Sequence, residues 1–326
     1  MRAIVFDQPG DESVLRLADV PAPALAPGCL RIRVAATAVN RADLLQRRGF
    51  YPPPPGASPL LGLECSGEVA ELAPDVTGWR AGDRVMALLP GGGYAEEVVV
   101  DAGSAMPVPD ALDLVQAAAV PEVFLTVYLN VFELGALPEG GWALVHGGGS
   151  GIGTAAIQLV RNAGGHVVVT AGSDEKCRRC TELGADVAVS YRTGDFAAAC
   201  REVTSGRGVD VVLDSIGAPY LDKNLASLAI GGRLVLIGLM GGAKAEIQLA
   251  TLLMRRLQVI GSTLRTRPVE EKAAIVRGFL ARFGKALGQG QIRPVVDRVL
   301  PLADAAEAHR LVERSGHFGK VVLEVG

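Results

Sequence analysis

The chain has 326 residues, of which 49% are hydrophobic and 21% are charged, and its formal net charge is −3. This length favours two domains, because one hydrophobic core rarely grows so large. The acidic balance and the absence of any run of Lys or Arg argue against a nucleic-acid partner, since such proteins usually present a basic face. No segment reaches about eighteen uninterrupted apolar residues, so a membrane span is not expected.

The beginning of the chain and its cysteines indicate the compartment. Residues 1–9 alternate apolar and polar side chains, which predicts a strand and not a signal peptide. The five cysteines are an odd number in a large chain, and this usage is typical of reduced thiols in the cytosol. The sequence therefore predicts a cytoplasmic protein.

The first third of the chain predicts mainly β structure. Turn-forming Pro, Gly and Asp residues separate short apolar runs, and strands are predicted at 30–39, 68–72, 84–89 and 95–100. The run Tyr51-Pro-Pro-Pro-Pro-Gly56 cannot form a helix or an inner strand, because proline fixes φ and removes the backbone donor. We expect an extended surface loop there, and such loops often line binding sites.

After residue 109 helix and strand signals alternate. A long apolar stretch at 112–134 predicts a helix. Further helices are predicted at 154–163 and 175–183, among strands at 142–146, 166–171, 187–190, 209–214, 233–239 and 257–261. This alternation predicts an α/β fold with a parallel, doubly wound sheet. The last part of the chain adds predicted helices at 269–287 and 302–314 and strands at 295–299 and 320–324.

One glycine-rich segment carries the strongest functional signal. The strand predicted at 142–146 runs into several glycines, and a helix is expected to begin at Ser150 or Gly151. From there, Gly151-Ile152-Gly153-Thr-Ala-Ala156 fits the G-x-G-x-x-A dinucleotide fingerprint. We interpret Gly151 as the tight turn, Gly153 as the close approach to the pyrophosphate, and Ala156 as the small residue at the sheet. The helix N-terminus then offers N–H groups to the phosphates.

The end of the next strand indicates which dinucleotide binds. An NAD site places Asp or Glu at this tip, about twenty residues after the glycines, to bind the ribose hydroxyls. This strand ends near Ser173, with no acid at its tip. Ser173, Lys176, Arg178 and Tyr191-Arg192 offer hydroxyls and cations to a 2′-phosphate, whereas Asp174 and Glu175 would oppose it if they pointed inward. NADPH is therefore the predicted cofactor; the alternative is that Lys176 and Arg178 are solvated helix residues.

Other blocks of the chain are Asn40-Arg-Ala-Asp-Leu-Leu-Gln46, Leu61-Gly-Leu-Glu-Cys-Ser-Gly-Glu-Val69, Gly82-Asp-Arg-Val85, Gly238-Leu-Met-Gly-Gly242 and Gly319-Lys-Val-Val-Leu323. These blocks resemble the quinone oxidoreductases, the zinc-free branch of the medium-chain dehydrogenase/reductase superfamily. The likeness covers essentially the whole chain. It implies a GroES-like β-barrel catalytic domain, formed by residues 1–116 and 263–326, and a Rossmann domain formed by residues 117–262.

The resemblance also implies site residues and an assembly. In relatives, the residues that match Asn40, Tyr51, Thr126 and Ser150 lie near the nicotinamide or the substrate. Those that match Ser173, Lys176 and Tyr191 hold the adenosine phosphate. The rest of the cofactor path is lined by the residues that match Gly238, Leu239, Met240, Arg265, Phe318 and Lys320. Relatives are commonly dimers, so a homodimer is expected.

No zinc site is expected in this sequence. Where the zinc alcohol dehydrogenases of the superfamily have Cys, near Asn40, and His, just before Glu64, this chain has neither. The ligand-like spacing Cys177-Arg-Arg-Cys180 has no second pair, and the four histidines are scattered. Without a Lewis acid, hydride transfer suits acceptors that are already electrophilic, such as quinones or conjugated enones.

The sequence therefore predicts a zinc-independent NADPH:quinone oxidoreductase that acts on a small molecule. We expect Tyr51 to hydrogen-bond the acceptor carbonyl and Asn40 to fix the nicotinamide end. Simpler interpretations make Tyr51 an aromatic that packs on the prolines and Asn40 a turn residue. Two other functions stay open, an enoyl or enone reductase and a non-catalytic NADPH-binding protein, and no proton donor is assigned.

Overall fold

The computed structural model describes all 326 residues, Met1–Gly326. None of its helices combines the length and the apolar character that crossing a membrane requires. In chain order the strands are β1 (Arg2–Val5), β2 (Arg16–Asp19), β3 (Cys29–Ala38), β4 (Glu64–Leu72), β5 (Arg84–Leu88), β6 (Glu97–Asp101), β7 (Ala105–Pro107), β8 (Trp142–His146), β9 (His166–Ala171), β10 (Val187–Ser190), β11 (Val209–Asp214), β12 (Leu228–Leu236), β13 (Gln258–Gly261), β14 (Val296–Pro301) and β15 (Lys320–Glu324). The helices are α1 (Arg41–Arg47), α2 (Leu114–Ala117), α3 (Pro121–Val127), α4 (Gly151–Asn162), α5 (Asp174–Glu182), α6 (Phe196–Val203), α7 (Leu221–Ser227), α8 (Leu249–Arg255), α9 (Val269–Gly288) and α10 (Ala305–Glu313).

The chain divides into two compact units. Unit 1 consists of Met1–Leu125 and Leu264–Gly326, and unit 2 of Thr126–Thr263. The predicted division after residue 116 lies before the observed one. The reason is that α2 packs on β3 and β4, which keeps the segment that follows it in unit 1.

The sheet of unit 1 is built around the ten-residue strand β3. β4 pairs with β3 along most of its length, while β6 pairs with its first half and β15 with its end. The sheet has the order β14-β15-β3-β4-β5-β7, and its pairs are antiparallel except β14 with β15. Alternate residues of β3, such as Leu30, Ile32 and Val34, point into one hydrophobic core.

The long helix predicted at 112–134 is wrong as a single element. The structure has α2, then α3, then a π-helical turn at Tyr128–Leu134. The reason is Pro121, which lacks an N–H and is tolerated only in the first turn of a helix, so it begins α3.

Unit 2 contains a parallel sheet of six strands in the order β10-β9-β8-β11-β12-β13. Its inner strands are almost wholly buried, as the runs of valine in β9 and β11 predict. The strand order reverses between β8 and β11, and in open α/β sheets ligands bind outside the carboxyl ends of the strands at such a point. The predicted α/β class with a doubly wound parallel sheet is confirmed.

Candidate active site

The turn between β8 and α4 presents a helix N-terminus at the carboxyl edge of the unit 2 sheet. Gly147 takes a positive φ of 77°, and Ser150 caps α4 by accepting a hydrogen bond from the Gly153 N–H at 3.0 Å. The other first-turn N–H groups have no partner within the helix, and the helix dipole is positive there. Since β8 flanks the point where the strand order reverses, this turn is suited to an anion such as a pyrophosphate.

The roles predicted for the glycines are wrong in register. The tight turn lies at Gly147, whereas Gly151 already belongs to α4. Gly153 is buried, and a Cβ there would lie 2.3 Å from the Gly147 carbonyl oxygen. Its missing side chain therefore lets the helix pack against the turn. The earlier start of the glycine run, at Gly147, is the signal that would have given the correct register.

A buried polar chain joins the ends of three strands behind this turn. Asn224 Nδ2 donates to Asp214 Oδ2 at 3.0 Å, so the Asn224 oxygen accepts from His146 Nε2–H at 2.7 Å. The Thr170 hydroxyl then donates to His146 Nδ1 at 3.0 Å. Burial lowers the pKa of His146 to about 4, consistent with this neutral tautomer. The chain thus ties β8, β9 and β11 together at the edge where the anion would bind.

The residues predicted to hold the adenosine phosphate lie around the tip of β9. Ser173 caps α5, and its Oγ accepts from the Lys176 N–H at 3.3 Å. The Tyr191 side chain is 47% exposed and packs over Gly172, where a Cβ would lie 2.6 Å from the phenol oxygen. Asp174 and Glu175 are exposed in the first turn of α5. The strand tip itself therefore carries a hydroxyl and no carboxylate.

The other predicted cofactor residues of unit 2 differ in exposure. β12 ends at Leu236, three residues before the predicted end, so Gly238, Leu239 and Met240 form a loop at the carboxyl edge of the sheet. The Met240 N–H donates to the Ser215 carbonyl at 3.1 Å, which fixes this loop, while Leu239 and Met240 remain 53% and 54% exposed. Thr126, by contrast, is 8% exposed in α3.

In unit 1 a buried ion pair holds Asn40. Lys320 Nζ donates to Glu64 Oε1 and Asn40 Oδ1, each at 2.7 Å, and to the Val39 carbonyl at 3.0 Å. The Asn40 amide nitrogen donates to Glu64 Oε1 at 2.9 Å and to the Ala38 carbonyl at 3.1 Å. All three ammonium protons are used within the unit. Lys320 therefore has no donor left for a cofactor, contrary to the prediction, and instead orients Asn40.

A second set of buried, hydrogen-bonded side chains holds Asn40, the residue that caps the N-terminus of α1, through Asp43. Asp43 accepts from the backbone N–H of Asn40 at 2.8 Å and of Gly62 at 2.9 Å. Tyr94, which also contacts Asp43, hydrogen-bonds His309 Nε2 at 3.1 Å, and Arg47 donates to His309 Nδ1 at 3.2 Å. Burial and the Arg47 charge lower the pKa of His309 to about 3, while burial raises the pKa of Asp43 to about 6.

Arg265 anchors the loop that carries Tyr51. Its guanidinium donates to Gln46 Oε1 and the Pro90 carbonyl, each at 2.7 Å, and to the Tyr51 carbonyl at 3.4 Å. The group also lies 5.4 Å from the centre of the Tyr51 ring. Arg265 was predicted on the cofactor path; the structure engages three of its N–H groups in ordering this loop. Burial raises the pKa of the half-buried Tyr51 phenol, which therefore stays a hydrogen-bond donor at neutral pH.

Neither unit offers a set of side chains that fits a zinc ion. No three or more His, Cys, Asp or Glu side chains lie close enough together to hold a metal. The positive charge next to Glu64 is the ammonium group of Lys320 and not a metal ion. Burial raises the pKa of the adjacent Cys65 thiol, so Cys65 would not serve as a thiolate ligand.

The structure gathers the predicted site residues into two groups, one in each unit. Phe318 joins neither, because its side chain is 3% exposed and its N–H donates to Asp297 at 3.0 Å. Sequence reasoning missed the polar residues that support the two groups: Asp43, Gln46, Glu122, His146, Thr170, Asp214 and Asn224. The available signal was a charged or amide residue within an apolar run, as at Glu122.

Comparison with known proteins supports this picture. Residues 26–110 match the family model for the alcohol dehydrogenase GroES-like domain, and residues 151–278 match that for zinc-binding dehydrogenase. A solved NAD-dependent alcohol dehydrogenase is 34% identical, with 100% of both chains covered and a TM-score of 0.87. A mycobacterial protein complexed with NADPH is 31% identical, with 99% of this chain and 100% of that chain covered and a TM-score of 0.89. A mycobacterial quinone oxidoreductase is 32% identical, with 99% of each chain covered and a TM-score of 0.85.

The curated relatives are much longer proteins. A mycocerosic acid synthase-like polyketide synthase of Mycobacterium tuberculosis is 33% identical over 97% of this chain, which spans 15% of that protein's length. Taken with the solved structures, these matches show that the chain belongs to the medium-chain dehydrogenase/reductase superfamily of oxidoreductases. The predicted GroES-like and Rossmann folds are thereby confirmed.

Proposed function

We propose that the protein is an NADPH-dependent oxidoreductase that transfers a hydride to a quinone or a similar electrophile. The observation that carries this proposal is the carboxyl edge of the unit 2 sheet. There a capped helix N-terminus lies at the reversal of strand order, and the neighbouring strand tip carries Ser173 in place of an acid. The solved mycobacterial relatives, one complexed with NADPH and one a quinone oxidoreductase, support the same assignment.

The residues present would fit both phosphate-containing parts of NADPH, the pyrophosphate and the 2′-phosphate. The first turn of α4, with Ser150, Gly151 and Ile152, would receive the pyrophosphate. Ser173, Lys176 and Tyr191 would receive the 2′-phosphate through hydroxyls and a cation. When bound, NADPH supplies the hydride, and the protein supplies orientation and electrostatics.

In unit 1 we assign acceptor binding to the Tyr51 loop. The Tyr51 phenol, protonated at neutral pH, would donate a hydrogen bond to the acceptor carbonyl. Arg265 and Gln46 hold the loop in place, which limits the entropy lost on binding. Asn40 has used both amide protons, so its predicted role at the nicotinamide end depends on the remaining lone pair of its oxygen.

Enoyl or enone reduction is the second candidate, because the curated relatives are polyketide synthases. Initial rates of NADPH and NADH oxidation, each with ortho-naphthoquinone and with a conjugated enone, test both candidates. Faster NADPH-dependent quinone reduction supports our proposal, and turnover of the enone alone supports the second candidate. Tight NADPH binding without turnover of any acceptor would favour a binding protein.

We also propose that a second copy of the chain binds along β13. This strand lies at the edge of its sheet and pairs only with β12, so its outer backbone groups are open to another strand. The exposed apolar residues of β12, α8 and β13 are Ile230, Leu249, Leu253, Met254 and Val259. A two-fold axis beside β13 would pair identical strands and cover them.

Light scattering tests this assembly. We expect a dimer for the wild-type protein and a monomer for Val259→Lys, which places a charge on the open edge. Leu17→Lys, at another partly exposed apolar position of a strand in unit 1, is the control and should remain a dimer. A monomeric wild-type protein at micromolar concentration would contradict the proposal.

A further inference from the structure

Glu122 has an unusual setting at the start of α3. Every residue from 117 to 132 is buried except Glu122, which is partly exposed. Its backbone N–H donates to Glu64 Oε2 at 2.9 Å, which fixes the beginning of α3 against the ion pair of Glu64 and Lys320. Glu122 is therefore held beside the buried carboxylate of Glu64, and Glu122 itself keeps access to water.

The two acids differ in their partners. Glu64 is fully buried, and its Oε1 receives Lys320 Nζ at 2.7 Å and the Asn40 amide at 2.9 Å. The Glu122 side chain has no cation within 4 Å and no hydrogen bond to another side chain. The positive charge of Lys320 thus neutralises Glu64 first, and the carboxyl of Glu122 has no counter-ion of its own.

The charged groups around Glu122 come from several elements of unit 1. They are Asp43 of α1, Glu64 of β4, Arg265, Lys272 of α9, Lys320 of β15 and the Tyr51 phenol. Burial is the largest effect and the charge of Glu64 the next, and together they raise the pKa of Glu122 to about 8. Glu122 is consequently a neutral carboxylic acid at pH 7, within electrostatic reach of the Tyr51 phenol.

We propose that Glu122 is the proton donor of the reduction, acting on the acceptor bound by the Tyr51 loop. This inference rests on the proposed oxidoreductase function. The acceptor gains a hydride, with its two electrons, from NADPH, which becomes NADP⁺. The Glu122 O–H bond breaks, its proton joins the acceptor oxygen of a quinone or the enolate of an enone, and the resulting carboxylate takes a new proton from water.

The neighbouring groups are less suited to this step. Asp43 and Glu64 are fully buried, and the Asp43 oxygens already accept from two backbone N–H groups, so neither acid exchanges readily with water. The amide protons of Asn40 are both committed. Tyr51, with its raised pKa, is a much weaker acid than Glu122. Its phenol therefore orients the acceptor while Glu122 supplies the proton.

The first test needs no cofactor. Infrared difference spectra of the unliganded protein between pH 6 and pH 10 should show a carboxylic acid C=O band that disappears around pH 8. The band should be missing in Glu122→Gln and present in Glu270→Gln, which changes an exposed acid in the first turn of α9. The same band in Glu122→Gln would overturn the proposal.

The second test uses the pH dependence of turnover. Because the protonated acid is the active form, wild-type kcat/KM should fall as the pH rises through about 8. Glu122→Gln should lose this limb and lower kcat at pH 7 by at least about tenfold, as loss of a general acid does, with NADPH affinity unchanged. The loss should be larger with an enone than with a quinone, because an enolate is the more basic product anion.

These outcomes separate the two proposals. If wild-type protein turns over no quinone or enone, the proposed function fails, whatever the infrared result. If wild-type protein is active and Glu122→Gln keeps both the rate and the basic limb, the function stands and the assignment of Glu122 as proton donor is wrong.

Discussion

Unit 1 and unit 2 each bury a connected set of polar side chains beside their own group of candidate site residues, but the two sets differ in charge and in origin. In unit 1, Lys320 and Glu64 form an ion pair, and their contact joins positions 256 residues apart. In unit 2, His146 is neutral, and its partner Thr170 lies only 24 residues away. Unit 1 holds Asn40 with an ion pair, whereas unit 2 supports a backbone turn with a neutral histidine whose hydrogen-bond chain ends at the carboxyl group of Asp214.

The largest expected effect comes from breaking the ion pair of unit 1. Lys320→Met leaves Glu64 buried without its cation, and such a change destabilises a protein by about 3–5 kcal/mol. Urea unfolding measures the loss. Arg178→Met, which removes an exposed ion pair with Glu182, is the control and should cost less than about 1 kcal/mol. Equal losses in the two variants would show that the buried pair has no special weight.

The neutral histidine of unit 2 should make stability depend on pH. The folded pKa of His146 is about 4 against an ordinary value of 6.5, so the unfolded chain takes up the proton first. The contribution of neutral His146 to the free energy of unfolding is fully present above pH 6.5. It is lost as the pH falls from 6.5 towards 4, by about 3 kcal/mol in total. His146→Gln should reduce the change in the free energy of unfolding between pH 6.5 and pH 4.

His309 of unit 1 provides the matched comparison for that experiment. Its folded pKa of about 3 gives the same sign, so His309→Gln should also reduce the loss of stability on acidification. Urea midpoints at pH 7 and pH 5 measure both. A difference in stability between pH 7 and pH 5 that is the same in wild-type protein and in both variants would contradict the neutral, buried state of the two histidines.

A smaller effect is expected at the tip of β9, where we propose that exposed side chains of unit 2 bind the phosphate. Ser173→Asp puts a carboxylate at the tip of β9, where it would repel a 2′-phosphate. We expect kcat/KM for NADPH to fall by about tenfold to a hundredfold, as loss of a charge-assisted contact does, while NADH is little affected. Thr181→Asp adds the same charge further along α5 and should change neither; equal preference for the two cofactors in wild-type protein would refute the phosphate assignment.

The smallest effect is expected for the phenol of unit 1. Tyr51→Phe removes one neutral hydrogen bond to the acceptor, so kcat/KM should fall by about fivefold to tenfold, corresponding to about 1 kcal/mol. NADPH affinity, measured by fluorescence titration, should stay constant. An unchanged kcat/KM would remove the phenol from acceptor binding and leave Tyr51 as a packing residue on the proline loop.

The predictions from sequence succeeded where the signal is local. The strands Trp142–His146, His166–Ala171, Val187–Ser190, Val209–Asp214 and Lys320–Glu324 have the predicted bounds. Runs of β-branched residues between turn signals specify such strands without reference to the rest of the chain. The glycine segment was found for the same reason, although its register was wrong because three consecutive glycines allow several alignments with the fingerprint.

The prediction was weakest where side chains from distant segments meet. Lys320 and Arg265 were expected along the cofactor path, yet the structure commits the ammonium of Lys320 to Asn40 and Glu64 and part of the Arg265 guanidinium to the Tyr51 loop. A residue type shows that a donor is present but not which acceptor is nearest. Glu122 was missed for the same reason, since its setting depends on Glu64, 58 residues earlier.

The sequence by itself determined the α/β class, the parallel sheet and the dinucleotide-type turn, because hydrophobic periodicity and glycine conformation act over a few residues. Only the tertiary structure decided which polar groups are buried together, which protons they have left, and therefore which side chains remain available to a ligand. The physical reason is that burial and charge–charge contact depend on distances through space, and the pairing of strands β3, β4 and β15 sets those distances.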